Sequence, residues 1–304
     1  MKKVLLCIMD GVGLRKNSLG NAYLNANTPT LDYLMKEYPH THLEASGEYV
    51  GLPKGQMGNS EVGHSTIGSG RVIYQSLEKI NKSITDKSFY QNKELLSAIN
   101  YAKQNNSHLH LIGLLSDGGI HSHISHLFAL LDLCQKENFH NVFVHVITDG
   151  RDTAPDSGIN YILALENKLK ELRFGKIATI CGRYYMMDRD NNYDRVSLAY
   201  NMLVDGSALK YETAALAWKS NQDKNITDEF IKPSLIDPSG IIRDNDAIIT
   251  FNFRPDRLRE LYSCLTNESF PSFNRTILKN IKLVTMMPVA DTVICTNAFG
   301  YENL

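Results

Sequence analysis

Six short apolar runs rich in β-branched residues, separated by longer stretches of helical period, restrict this chain to an α/β architecture with a largely parallel sheet. The runs are Lys3 to Met9, Leu109 to Leu115, Val142 to Thr148, Lys176 to Cys181, Ala247 to Asn252 and Lys282 to Met286. Between them, Asn92 to Gln104 and Ser157 to Leu172 carry apolar residues at spacings of three and four, the period of a helix with one buried face. Thr28-Pro29 marks a further helix start, with proline at the first helical position.

Length and charge narrow the possibilities further. With 304 residues the chain has room for two domains, and 43% hydrophobic against 21% charged residues is the balance of a globular protein. A formal net charge of −1 excludes a global field that would draw it to nucleic acid or an anionic membrane, so anion binding must be local. Val4 to Met9 is shorter than the roughly 7 to 15 apolar residues of a signal peptide core, and no later run reaches the ~18 of a membrane span. The expected location is the cytoplasm. Five scattered cysteines without C-x-x-C spacing read as reduced, buried thiols rather than a disulfide framework or a zinc site. Gln75 to Ile84 is the expected crossover into a second domain, and a further boundary falls near Met287-Pro288.

All but the last run end in polar or glycine-bearing turns, and in open α/β sheets ligands bind beyond the carboxyl ends of the strands. These turns supply Arg151, Arg183, Arg189, Arg254 and Arg257, whose planar forks suit phosphate or carboxylate. In a nearly neutral chain such clustering points to a small anionic substrate. The alternative for each arginine is a structural ion pair with Asp152, Asp188, Asp190 or Asp256.

Gly55 to His64 (GQMGNSEVGH) lets the backbone turn tightly and places Ser60 where a loop leads into a helix, a natural anion site. Ser60 is a candidate nucleophile that needs a base or metal for activation, or else a helix cap. Asp10, at the end of the first run, is either a hard ligand for a divalent cation beside Ser60 or a turn-forming aspartate. His121, with His123 and His126 nearby, contacts a phosphate or hydroxyl, or belongs to a polar cluster at a helix start; the spacing does not imply zinc. His108 and His110 alternate in an apolar strand and point to one face without chemistry.

Seven ordered segments carry a family resemblance: LLCIMDGVG from Leu5, NAYLNANTPTLDYL from Asn21, ASGEYVGLPKGQMGNSEVGHSTIGSGR from Ala45, GLLSDGGIHSH from Gly113, TDGRDTAP from Thr148, GRYYMMDRD from Gly182 and FNFRPDR from Phe251. Together they resemble the successive blocks of cofactor-independent phosphoglycerate mutase, a member of the alkaline phosphatase-like superfamily. The resemblance implies 3-phosphoglycerate and 2-phosphoglycerate as substrate and product, a phosphoserine at Ser60, Asp10 and Ser60 as metal ligands, and Asp152 as an acid/base group. His121, Arg151, Asp152, Arg183, Arg189, Arg254 and Arg257 resemble the residues that bind phosphoglycerate. Two divalent cations, usually manganese, are implied, without 2,3-bisphosphoglycerate, in an enzyme that is a monomer when complete.

By the same resemblance, residues 1–75 match the first piece of a metal-binding phosphatase domain, 76–286 an inserted α/β substrate-binding domain with a mainly parallel sheet, and 287–304 the start of a linker back to the phosphatase domain. Val12 and Ala154 depart from the residues the family tends to have there, and neither removes a polar contact. The family's remaining Asp and His metal ligands and a substrate-binding lysine have no counterpart here, so the expectation is an incomplete phosphatase domain, inactive alone and served by a separate C-terminal polypeptide. Loss of its sheet would leave Lys3 to Met9 and the helix after Thr28 with uncovered apolar surface. A phosphoglycerate-binding module without catalysis and a residual phosphatase are the alternatives.

Overall fold

The computed structural model describes residues 3–254 and 256–301. The described residues divide into two compact units, one within 3–78 and one within 79–301. The expected linker thus runs past the described residues at its last three positions, and the apolar start considered as a signal core begins beyond the undescribed first two.

In the first unit the structured elements are α1 (Ala22–Asn25), α2 (Pro29–Glu37) and α3 (Ser60–Ser69). Asn21 caps α1 by accepting from the Leu24 N–H, and α2 begins as expected, with Thr28 at its cap position and Pro29 first in the helix. Val50, Leu52 and Val62 form a small buried apolar cluster here. The expected strand at Lys3 to Met9 does not form: these residues are irregular, and Val4 and Leu5 are each 92% exposed. A strand exists only by pairing its N–H and C=O groups, and the described residues of this unit contain no other strand. Thr28 to Glu37 likewise buries no side chain.

The segment read as a crossover is itself a helix, α4 (Ser76–Thr85), and the division between units falls within it. Beyond it the chain alternates helix and strand: α5 (Lys93–Asn105), β1 (Leu109–Leu114), α6 (Ile124–Lys136), β2 (Val142–Thr148), α7 (Gly158–Leu172), β3 (Lys176–Gly182), α8 (Arg183–Met186) and α9 (Tyr193–Val204). Then come β4 (Leu209–Lys210), α10 (Ala214–Gln222), β5 (Ser234–Leu235), β6 (Ala247–Thr250), α11 (Arg259–Thr266), β7 (Lys282–Thr285) and β8 (Thr296–Asn297).

These strands form one eight-stranded sheet in the order β4-β5-β3-β2-β1-β6-β7-β8, with every neighbouring pair parallel except β3 and β5. β1 and β2 are buried along their whole length, as near-continuous apolar runs covered on both faces must be. Residues 287–301 pack in this unit: β8 pairs with β7, Val293 is buried, and Phe299 stacks on Phe89. Side chains cap α5 and α6: Asn92 accepts from the Glu94 and Leu95 N–H groups, and His123 from that of Ser125. Cys134, Cys181 and Cys264 are buried, whereas Cys7 is exposed, so the expectation of buried thiols fails there. Among the described residues no helix is long and apolar enough to cross a membrane.

Candidate functional site

In the first unit two sequence candidates meet. Met9 to Val12 make a turn closed by the Val12 N–H on the Met9 carbonyl, with Gly11 at φ +82°, a conformation that glycine adopts without strain. The turn presents Asp10, whose Oδ2 accepts a 2.7 Å hydrogen bond from Ser60 Oγ. Ser60 is not the cap of α3. Asn59 holds that place, its side chain accepting from the Val62 N–H at 3.1 Å, because an extended residue with a short polar side chain reaches the free N–H groups of the first turn where a helical one does not. Ser60 is therefore the first helical residue, with its hydroxyl directed to Asp10 and its backbone at the positive end of α3.

Sequence reasoning passed over His64. One turn further along α3, its Nδ1 lies 2.8 Å from the Ser60 carbonyl and 3.1 Å from Ser60 Oγ. The spacing of four residues, which places both side chains on one helix face, was the available signal. As a cation site, Asp10 and Ser60 offer two hard oxygen donors, which suit a divalent ion. Among the described residues Asp10 belongs to no metal-sized cluster of three His, Cys, Asp or Glu side chains, so Asp10 and Ser60, with His64 beside them, fit part of a ligand set.

In the second unit the turns that follow β1, β2, β3 and β6 bring the other candidates together. Arg183, 3% exposed, opens α8 directly after β3 and donates from Nη1 to Asp149 Oδ1 at 2.7 Å and Asp152 Oδ2 at 2.8 Å. Asp149 is the residue on which this turn is built. Its carboxylate also accepts from Ser116 Oγ at 2.6 Å and from the backbone N–H of Arg151 and Asp152. Burial alone would raise its pKa, but the Ser116, Asp152 and Arg183 donors outweigh burial and hold it below the usual carboxylate range. Neither Asp149 nor Ser116 was singled out in the sequence; an aspartate in a glycine turn looks like a turn former, and only the register of β1 against β2 shows that Ser116 faces it.

His121 is 4% exposed, and its Nε2 lies 3.9 Å from Asp152 Oδ2. Burial first, and the Arg183 charge second, push its pKa down to about 4, so the ring is neutral near pH 7, and its buried Nδ1 has no hydrogen-bond partner among the described residues. His123 is the cap of α6 and His126 bonds Asn81, so the two neighbours of His121 have local structural roles.

Arginine pairing is partial. Asp256 Oδ2 accepts from Arg189 Nη1 at 2.9 Å, and its Oδ1 lies 3.7 Å from Arg254 Nε. Arg151 lies 3.5 Å from Glu229, an acid the sequence gave no reason to choose. Burial and then the positive charges of Arg189, Arg183 and Arg151 lower the pKa of Arg257, whose Nε is buried and unpartnered among the described residues. A cluster in which one guanidinium feels three others more strongly than its acid neighbour retains positive potential for an anion. A cavity of about 200 Å³ opens among Arg151, Arg183, Arg257 and Arg195. Arg195, not expected from sequence, is held 3.3 Å from Asp188 and stacks 4.0 Å over the Tyr184 ring. The structure thus groups Asp10 with Ser60 in one unit, and His121, Arg151, Asp152, Arg183, Arg189, Arg254 and Arg257 in the other.

Comparison with known proteins identifies the chain's family. Residues 80–291 match the family described as BPG-independent PGAM N-terminus. A Clostridium perfringens (strain SM101 / Type A) 2,3-bisphosphoglycerate-independent phosphoglycerate mutase is 49% identical over 307 residues, which cover 99% of this chain and 60% of that protein. One from Aster yellows witches'-broom phytoplasma is 51% identical over 316 residues, with coverage of 100% and 60%. A phosphoglycerate mutase of Leishmania mexicana, solved at low cobalt concentration, superposes with a TM-score of 0.73 at 32% identity, over 87% of this chain and 51% of that one. The chain spans about 60% of the length of these curated relatives. It belongs to the 2,3-bisphosphoglycerate-independent phosphoglycerate mutase family, matching that family's N-terminal region.

Proposed function

We propose that this chain serves the interconversion of 3-phosphoglycerate and 2-phosphoglycerate in the cytoplasm, without 2,3-bisphosphoglycerate, and that Ser60 carries the phosphoryl group between the two positions. The observation that carries this is the Ser60 hydroxyl held on the Asp10 carboxylate at the start of a helix. Ser60 Oγ attacks phosphorus, the bond from phosphorus to the glycerate oxygen breaks, and the helix start favours the anionic phosphoserine that results. Arg151, Arg189, Arg254 and Arg257 hold phosphate and carboxylate while glycerate reorients, and Arg183 fixes the Asp152 carboxylate that moves the proton of the accepting hydroxyl. Neutral His121 donates to a substrate oxygen. The second hydroxyl then takes the phosphoryl group back and Ser60 is restored.

Divalent ions, two of them and manganese in our proposal, supply charge stabilisation at the transferring group when bound beside Asp10 and Ser60. That the Leishmania structure was solved at low cobalt concentration supports an ion of this class. Further ligands come from outside the described residues, supplied by a C-terminal polypeptide in an assembly that acts as a monomer. Because the anion-binding residues all lie in the second unit, this chain alone binds phosphoglycerate without turning it over. Calorimetric titration with 3-phosphoglycerate tests this: saturable binding is expected, weakened about tenfold or more by Arg257→Ala, and equal affinity in the two proteins would remove the proposal.

A further inference from the structure

At the opposite ends of the same strands lies a second polar cluster. His108 and His110 alternate along the chain into β1 and share one face of the sheet. Asp246, one residue before β6, extends the register in which Leu109 pairs with Ala247 and so falls beside them. His145 and Thr179, paired across β2 and β3, continue the row. His110 and His145 are fully buried, and Asp246 is 2% exposed.

Their hydrogen bonds run in one direction. With one proton on each ring, Asp246 Oδ2 accepts from His110 Nε2 at 3.0 Å, His110 Nδ1 from His145 Nε2 at 2.8 Å, and His145 Nδ1 from the Thr179 hydroxyl at 3.0 Å. Every ring in this chain is then neutral, the protonation state a metal requires. One atom is left out: His108 Nδ1 is buried and has no partner among the described residues.

We propose that His108, His110 and Asp246 form a site for one transition-metal ion of the zinc or cobalt class, separate from the Asp10–Ser60 pair. One ligand atom from each lies within 4.8 Å of the other two. A tetrahedral zinc with bonds of about 2.0–2.1 Å places its ligand atoms about 3.4 Å apart, so the set must tighten by about an ångström. His108, the half-buried member, has the freedom to move. Two imidazoles and a carboxylate select zinc, cobalt or nickel over magnesium or calcium. Binding at His110 Nε2 shifts its proton to Nδ1, which then donates to His145 Nε2, while His145 Nδ1–H donates to Thr179 Oγ. Both rings keep one proton each, so the row becomes an outer shell that orients the ligand with no net proton loss. His108 also lines an open groove of about 690 Å³ with Lys170 and Arg173 on its wall, which favours water or an anion as the ion's fourth ligand.

Cobalt(II) added to the chelator-stripped chain, read by visible absorption, tests the site. One equivalent giving the strong absorption of a four-coordinate centre is expected, unchanged in Asp10→Asn and weakened at least tenfold in affinity by His108→Phe, which keeps an aromatic ring against Phe143. Weak six-coordinate absorption alone, absorption lost in Asp10→Asn, or a cobalt affinity that His108→Phe leaves unchanged overturns it. Zinc-edge anomalous scattering from crystals of the unmodified chain soaked in zinc decides independently of how that variant folds. A peak bounded by His108, His110 and Asp246 upholds the site, and the lack of one there refutes it.

Discussion

Ser60 Oγ and Asp10 Oδ2, fifty residues apart in sequence, are joined by a 2.7 Å hydrogen bond although both side chains are exposed. Exposed pairs of this kind contribute little to folding, so the contact is better explained by what it does to the hydroxyl. In the assembled enzyme, Asp10→Asn removes the charged acceptor and, on the proposed function, a cation ligand together. The rate of 3-phosphoglycerate conversion should fall by about 10²-fold or more, while the thermal midpoint of this chain stays unchanged.

Arg183 and Arg189 both pair with aspartate, but burial separates their roles. Arg183→Met leaves the buried Asp149 and the partly buried Asp152 near one another without their cation, a loss on the order of 3–5 kcal/mol. Arg189→Met breaks a pair that is about half exposed on the arginine side and should cost less than about 1 kcal/mol. Denaturant titration of both variants checks the contrast, and calorimetry should show weakened phosphoglycerate binding in the second, which remains folded.

His121 makes stability depend on pH. Its pKa is about 4 in the folded chain, against about 6.5 when unfolded. Between those values the unfolded chain binds a proton that the folded chain does not, so stability is fully present above pH 6.5, falls as pH drops towards 4, and levels off below. The loss is on the order of 3 kcal/mol. His121→Gln should flatten this part of the stability profile, with the residual slope in the same direction contributed by His126, whose pKa burial depresses to about 3.

Gly150 sits between Asp149 and Arg151 at φ +70°, where an added Cβ would lie 2.8 Å from the Glu229 backbone nitrogen and 2.9 Å from Asp228 Cβ. Gly150→Ala should destabilise the chain by about 1–3 kcal/mol. It also moves the backbone N–H groups that orient Asp149, so phosphoglycerate affinity should fall even where the variant is fully folded.

Much of this arrangement was legible in the sequence because period and punctuation are local. β1, β2 and β3 end at Leu114, Thr148 and Gly182, within one residue of where the apolar runs stop, at Leu115, Thr148 and Cys181, and the arginines follow from the rule that such stops line one rim. What failed depended on partners. Val4 to Met9 has the composition of a strand, yet composition does not provide a neighbour to pair with. Ser60 was weighed as a cap because serine often is one; Asn59, one residue earlier, reaches the Val62 N–H, and only the backbone conformation decides between them. Asp149, Ser116, Glu229 and the row from Thr179 to Asp246 act across strands, through registers that no single segment encodes.

The phosphoserine itself is the most direct test. The chain is reconstituted with the C-terminal portion of a relative, given manganese and 3-phosphoglycerate, quenched in acid during turnover and mapped by tandem mass spectrometry. Phosphate on Ser60, with no turnover after Ser60→Ala, is the expected result. Continued interconversion by Ser60→Ala, or phosphate on any other side chain with Ser60 unmodified, would contradict it.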